Sequence, residues 1–193
     1  SEDNLKFKEK AGKYIDFLNA NAYDKERDVR TNIAGEFQKS NLAAALQTAE
    51  LICGRLDEDK IYEALSQIRI SGRMEEIAPG IIVDVSHNIQ GMQGFVQTVE
   101  ANYHGMKKRI LFAASHQNEE EYMKNILKTI PEIEAFYTVG IHKRRIDEAE
   151  FQDAFRKMID RNQETTVCFV VGSFYLAGMA KEFINQEEEN VRL

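Results

Sequence analysis

From Ile81 to the end of the chain, short β-branched apolar runs alternate with segments of helical periodicity, and this alternation constrains the fold more than any other feature. The strand candidates are Ile81–Val85, Arg109–Ala114, Ala135–Val139 and Thr166–Val171. After Asn88, the residues Ile89, Met92, Val96, Val99 and Tyr103 recur at the spacing of one helix face. Tyr122, Met123, Ile126, Leu127 and Ile130 repeat that pattern after Asn118, which with Glu121 reads as a capping box. Asp147 is placed to start a third helix carrying Phe151, Phe155, Met158 and Ile159. A fourth begins at Phe174, with the acidic residues Glu187 to Glu189 expected to fray. Strands separated by helices of this length need crossover connections. The expected fold is therefore α/β, a Rossmann-like, mainly parallel sheet flanked by helices.

The first 75 residues read differently. Lys13 to Phe17 alternates like a strand, Gly35 precedes an Ala/Leu-rich helix running through Ile52, and Asp57 starts another helix ending near Ile68. One strand-like segment and two helices do not close a core of their own. Residues 1–75 are accordingly expected to be the tail of a larger domain, and residues 76–193 a second domain.

Composition excludes several classes of function. A net charge of −7 argues against a nucleic-acid partner, which needs a basic face. Basic residues cluster only at Lys107-Lys108-Arg109 and Lys143-Arg144-Arg145, which read as solvated segments. Cys53 and Cys168 lie in unrelated apolar stretches and read as free thiols of a reducing compartment. There is no H-x-x-x-H or C-x-x-C spacing for zinc, no G-x-S-x-G elbow for a serine hydrolase and no G-x-x-x-x-G-K-[ST] phosphate loop. No apolar run approaches the length of a membrane span and no signal peptide is evident, so no membrane association and a cytoplasmic location are expected.

Open α/β sheets bind ligands at the carboxyl ends of their strands. Those ends carry Asp84 to Asn88, Ser115-His116, Gly140 with His142, and Gly172-Ser173, so that three of the four histidines fall on one edge. Strand-to-helix turns favour Ser, Asn, His and Gly for capping alone, and His116 and His142 read most simply that way. Asp84 is different, because a carboxylate ending an apolar strand needs a partner. Two are on offer: a pair of ribose hydroxyls, or the guanidinium of Arg73 eleven positions earlier. Gly172-Ser173 before a helix offers a hydroxyl and backbone N–H groups suited to a carboxylate or phosphate.

These residues resemble the carboxyl-terminal part of the folylpolyglutamate synthase family, which includes bifunctional dihydrofolate synthases and belongs with the muramyl-type ATP-dependent ligases. The family's G-R-x-E, apolar strand and D-x-A-H-N appear as Gly72-Arg73-Met74-Glu75 and Asp84-Val85-Ser86-His87-Asn88. Its G-x-H-Q-x-x-N appears as Gly35-Glu36-Phe37-Gln38-Lys39-Ser40-Asn41, and its G-S-L-Y-L-x-G as Gly172 to Gly178. Phe37 stands where histidine is usual, and Ser86 replaces alanine.

The resemblance implies an enzyme of two domains. The larger amino-terminal domain would hold the phosphate loop, the magnesium ligands and the folate pocket. ATP would phosphorylate a folate carboxylate, and the amine of L-glutamate would attack the acyl phosphate. On this reading Asn41 contacts the adenine edge, Arg73 the phosphates and Asp84 the ribose, while His87 and Ser173 lie toward glutamate. No catalytic residue and no metal ligand is assigned within this chain. The complete enzyme is expected to be a monomer, and this chain alone to be inactive. The alternatives are a muramyl-peptide ligase fragment, favoured less by the His-Asn after Asp84, and a non-catalytic module that binds a nucleotide or an amino acid.

Overall fold

The computed structural model describes residues 36–54, 56–68, 70–142, 145–159 and 165–192, so the strand expected at Lys13 to Phe17 lies outside the described residues. The chain divides into two compact units, Ser1–Arg69 and Ile70–Leu193. In the first, helix α1 (Glu36–Cys53) is followed by α2 (Glu58–Gln67). Asp57 starts α2 as a capping residue, its carboxylate accepting from the Lys60 N–H at 3.3 Å.

The second unit is a five-stranded sheet in the order β1-β2-β5-β3-β4, built from β1 (Glu75–Ala78), β2 (Ile81–Asp84), β3 (Lys107–Phe112), β4 (Ile133–Thr138) and β5 (Thr166–Val171). Only β1 runs antiparallel to its neighbour. Every residue of β2 and β5 is buried, as near-continuous apolar runs with both faces covered must be. The sequence reading placed no strand at Glu75–Ala78. Four residues, two of them glutamates, carry no periodicity, and the strand exists because the Pro79-Gly80 turn folds it back onto β2. Pro79 restricts its own φ, and Gly80 takes φ +73°. Glu75, which the sequence reading left in the first region, pairs with Val83 in this sheet.

Four helices cover the sheet: α3 (Ile89–Asn102), α4 (Glu120–Leu127), α5 (Glu148–Ile159) and α6 (Phe174–Arg192). Side chains of adjacent strand residues point to opposite faces. Ile82, Ile110, Phe112, Val167 and Phe169 therefore pack with Met92, Phe95 and Val99 of α3 and Met123 and Leu127 of α4. Ile81, Val83, Leu111, Cys168 and Val170 meet Phe151, Phe155 and Met158 of α5 and Leu176, Ala180 and Phe183 of α6. The capping box at Asn118 does not form. A 3₁₀ turn, Gln117–Glu119, precedes α4, whose first turn has no side-chain cap. Nor does the acidic segment end the last helix, since α6 continues to Arg192.

The layering has one consequence for function. Neighbouring strands β2 and β5 send their following helices, α3 and α6, from their carboxyl ends to opposite faces. That is the topological switch point of an open α/β sheet.

Candidate functional site

Asp84 ends β2 with only 2 % of its surface exposed. Its Oδ1 accepts the Ser86 N–H at 2.8 Å and its Oδ2 the Met74 N–H at 3.0 Å. Among the described residues there is no Arg73–Asp84 ion pair. The Met74 amide can reach because the Ser71–Met74 turn curls back over the strand end, with Gly72 at φ +73° and Met74 at φ +45°. Gly72 is required there. Its carbonyl accepts the Val85 N–H at 2.8 Å, and a Cβ would lie 2.6 Å from Val85 Cγ1. Arg73 stands half-buried at the centre of this turn, with no side-chain hydrogen bond or ion pair among the described residues.

The turn is also held from α6. Glu75 Oε2 accepts the Gly72 N–H at 2.6 Å and pairs with Lys181, whose ammonium also donates to Ser71 Oγ at 2.6 Å. Partial burial would raise the Glu75 carboxyl. The hydrogen bonds from Lys181 and the Gly72 N–H, with the ammonium charge, outweigh burial and hold it below its ordinary value. Glu75 and Lys181 were not singled out in the sequence. Glu75 could have been found as the last residue of Gly72-Arg73-Met74-Glu75; Lys181 could not, because it lies more than a hundred positions away.

β5 ends at Gly172, whose φ is +107° and whose added Cβ would sit 2.5 Å from the Ala113 carbonyl oxygen. The next residue, Ser173, is 1 % exposed, and its hydroxyl accepts the Tyr175 N–H at 3.1 Å. It thus caps α6, while its own proton stays available to donate. His87 caps nothing: Asn88 performs that task for α3, accepting the Gly91 N–H at 2.7 Å. The His87 Nδ1 lies 2.9 Å from the Val85 carbonyl. A carbonyl only accepts, so Nδ1 donates in this contact and Nε2 is the ring nitrogen left to meet a ligand. The ring packs at 5.5 Å against Phe174, the residue after Ser173. Phe174 was missed in the sequence as anything but a helix residue; it is 58 % exposed.

Ser115 Oγ donates to the Gly172 carbonyl at 3.3 Å and supports the turn. His116 is exposed at the head of the 3₁₀ turn and makes no side-chain cap bond. His142 bridges Arg145 through its backbone and lies over Gly140, so it shapes a loop. Asn41 is an exposed residue of α1 in the first unit. Cys168 is buried with its thiol donating to the Met158 carbonyl at 3.4 Å, and burial pushes that thiol up to about 11, which removes it as a nucleophile. No group of three or more His, Cys, Asp and Glu among the described residues could hold a metal ion. None of the described helices is long and apolar enough to cross a membrane.

No protein-family model matches the chain. A curated protein of Bacillus subtilis (strain 168), dihydrofolate synthase/folylpolyglutamate synthase, is 23% identical to it over 109 residues, which is 53% of this chain and 25% of that protein. The solved FPGS–AMPPCP–folate complex matches with a TM-score of 0.65 and 21% identity, over 80% of this chain and 38% of that one. E. coli FolC in complex with DHPP and ADP matches with a TM-score of 0.68 and 16% identity, over 77% of this chain and 39% of that one. The chain spans about a quarter of the curated relative. Sequence and fold agree: this chain is similar to the carboxyl-terminal portion of folylpolyglutamate synthases.

Proposed function

We propose that this chain is the carboxyl-terminal part of an ATP-dependent amide ligase that adds L-glutamate to folates through an acyl phosphate. The observation that carries the proposal is the edge formed by the neighbouring carboxyl ends of β2 and β5. There the turn bearing Arg73, the His87 ring and the Ser173 cap stand on adjoining strand ends at the switch point, where this class of sheet binds ligands. Residues 1–75 would then be the tail of an ATPase domain and 76–193 the ligase domain, within a monomeric, cytoplasmic enzyme.

A nucleotide suits the first side of this edge. Arg73 has no competing side-chain partner among the described residues and can meet a phosphate in two-pronged fashion. Asp84 and Asn41 complete the nucleotide set by their motifs. Glutamate suits the second side. An ammonium or amine N–H can donate to His87 Nε2, and a glutamate carboxylate can accept from the Ser173 hydroxyl at the positive start of α6. Placing the amine nitrogen against an acyl carbon, so that the C–N bond forms as phosphate departs, is largely a matter of position. No group of three or more His, Cys, Asp and Glu among the described residues could hold magnesium.

One observation favours a second reading, a binding module without catalysis. Asp84 and Ser173 are both buried, and both accept backbone N–H groups of their own chain. The test is ADP release from the full-length protein. Release that requires both a folate and L-glutamate supports the ligase. Release that requires a cell-wall precursor in place of folate turns the assignment to a muramyl-peptide ligase. No release, with nucleotide binding retained, leaves the module.

A further inference from the structure

We propose that Asp84 and Glu75 form a two-carboxylate clamp that aims Arg73, and that Lys181 of α6 is the positioning residue that holds the clamp shut. The two carboxylates take the backbone N–H groups on either side of Arg73. Glu75 Oε2 accepts from Gly72 at 2.6 Å, and Asp84 Oδ2 accepts from Met74 at 3.0 Å. Between them the Arg73 N–H is itself engaged, by the Ile70 carbonyl at 3.2 Å. Three successive amides are thus fixed, and the arginine side chain has no partner among the described residues.

The conformation held in this way is one the chain would not choose alone. Gly72 and Met74 both lie in the left-handed region, and Met74 has a side chain that disfavours it. A non-glycine residue persists there only when its surroundings impose it, and the Asp84 carboxylate supplies that constraint. Asp84 shows 2 % of its surface, so its oxygens face the turn and its own strand end. Glu75 is in turn held by Lys181, which also reaches Ser71 at the other end of the turn. Lys181 lies two turns into the helix that Ser173 caps and whose first ring packs on His87. The nucleotide side and the glutamate side of the edge therefore share one helix as their frame.

That Arg73 meets a phosphate rests on the function proposed above; the clamp rests on the geometry alone, and the experiment separates them. In the full-length protein, amide exchange at Gly72 and Met74 reads the clamp directly, and affinities for ATP and inorganic tripolyphosphate read Arg73. Glu75→Gln and Lys181→Met are expected to speed exchange at Gly72, and Asp84→Asn at Met74, each about tenfold or more. Asp84→Asn should weaken ATP and tripolyphosphate by a similar factor of about ten, as loss of a charged hydrogen bond implies. Lys181→Met should weaken both by a smaller factor, with Lys181→Arg restoring most of it. If Asp84→Asn weakens ATP and spares tripolyphosphate, the carboxylate acts on the ribose and the clamp is overturned. Unchanged exchange at Gly72 and Met74 overturns it whatever binds. A wild-type protein that binds neither ligand refutes the nucleotide reading, while exchange still decides the clamp. Should Asp84→Asn fail to fold, Glu75→Gln and Lys181→Met carry the same comparison.

Discussion

The two ends of the sheet solve the problem of charge next to a core in opposite ways. At the amino ends of β3 and β4, cation meets anion. Lys108 is fully buried with its ammonium 2.9 Å from Glu132, and Arg109 Nε lies 2.9 Å from Glu134. Hydrogen bonds from Lys108 and Arg109 hold the Glu132 and Glu134 carboxyls below their ordinary values. At the carboxyl ends of β2 and β5, the buried carboxylate of Asp84 is satisfied by backbone N–H groups, and the nearby cation of Arg73 has no side-chain partner among the described residues. Paired charges cancel and serve structure; a carboxylate satisfied by amides leaves a cation free to meet a ligand. This difference separates the stabilising edge of the molecule from its candidate site more sharply than residue type does.

The largest effect expected at the site edge comes from shape, not charge. Gly172→Ala places a Cβ 2.5 Å from the Ala113 oxygen in a backbone conformation that disfavours side chains. The expected loss is about 2–5 kcal/mol, the sum of left-handed strain and overpacking. A denaturation midpoint within error of wild type would show that the β5 end can relax around the added Cβ.

Next in size is the charge at the other edge. Glu132→Gln strands the Lys108 ammonium in the core, so its melting temperature should drop well below that of Lys108→Met, which removes the buried charge and keeps the apolar stem. The reverse order would mean that the amino edge does not depend on paired charge, and the contrast between the two edges would fail.

A smaller effect sharpens the reading of Ser173. As a cap alone, Ser173→Ala should cost about 1 kcal/mol and leave substrate dependence untouched. As a glutamate contact as well, it should also raise the KM for glutamate about tenfold, with the KM for ATP unchanged. Steady-state kinetics and a thermal melt on the same variant decide between them.

The smallest effects are those of pH and thiol chemistry. Glu75, Glu132 and Glu134 have folded-state values depressed below the ordinary 4.5. Each therefore contributes stability that is present above about 4.5 and lost as pH falls through the lower folded value. Melting temperature should decline below pH 4.5, less steeply in Glu75→Gln. At pH 8 the exposed Cys53 should react with a thiol reagent, whereas Cys168, buried and shifted to about 11, should react only after unfolding. Rapid labelling of both thiols in the native protein would contradict the packing of β5.

How much was legible beforehand depended on distance along the chain. Helix α3 could be read from Ile89, Met92, Val96 and Val99, and its Asn88 cap from the residue beside them, because periodicity and capping act over a few positions. Strands β2 to β5 could be read because apolar runs bounded by turn residues leave few alternatives. Strand β1 could not, since it is stabilised by a partner rather than by its own four residues. The contact between Asp84 and the Met74 N–H could not be read for a related reason. Sequence offers side chains as candidates, and the group that binds it is the backbone of Met74, in a conformation propensity would assign to glycine.

The sequence by itself determined the class of the fold, the edge on which chemistry-bearing residues gather, and the family it resembles. These follow from short-range patterns of apolar and polar residues and from motifs written in contiguous letters. Only the tertiary structure decided that β5 inserts between β2 and β3, and that α3 and α6 leave on opposite faces. It also decided that His87 lies against Phe174 and that Lys181 holds the turn around Arg73. Those contacts join residues tens of positions apart or more, and their geometry exists only once the sheet has closed its core and brought the strand ends side by side.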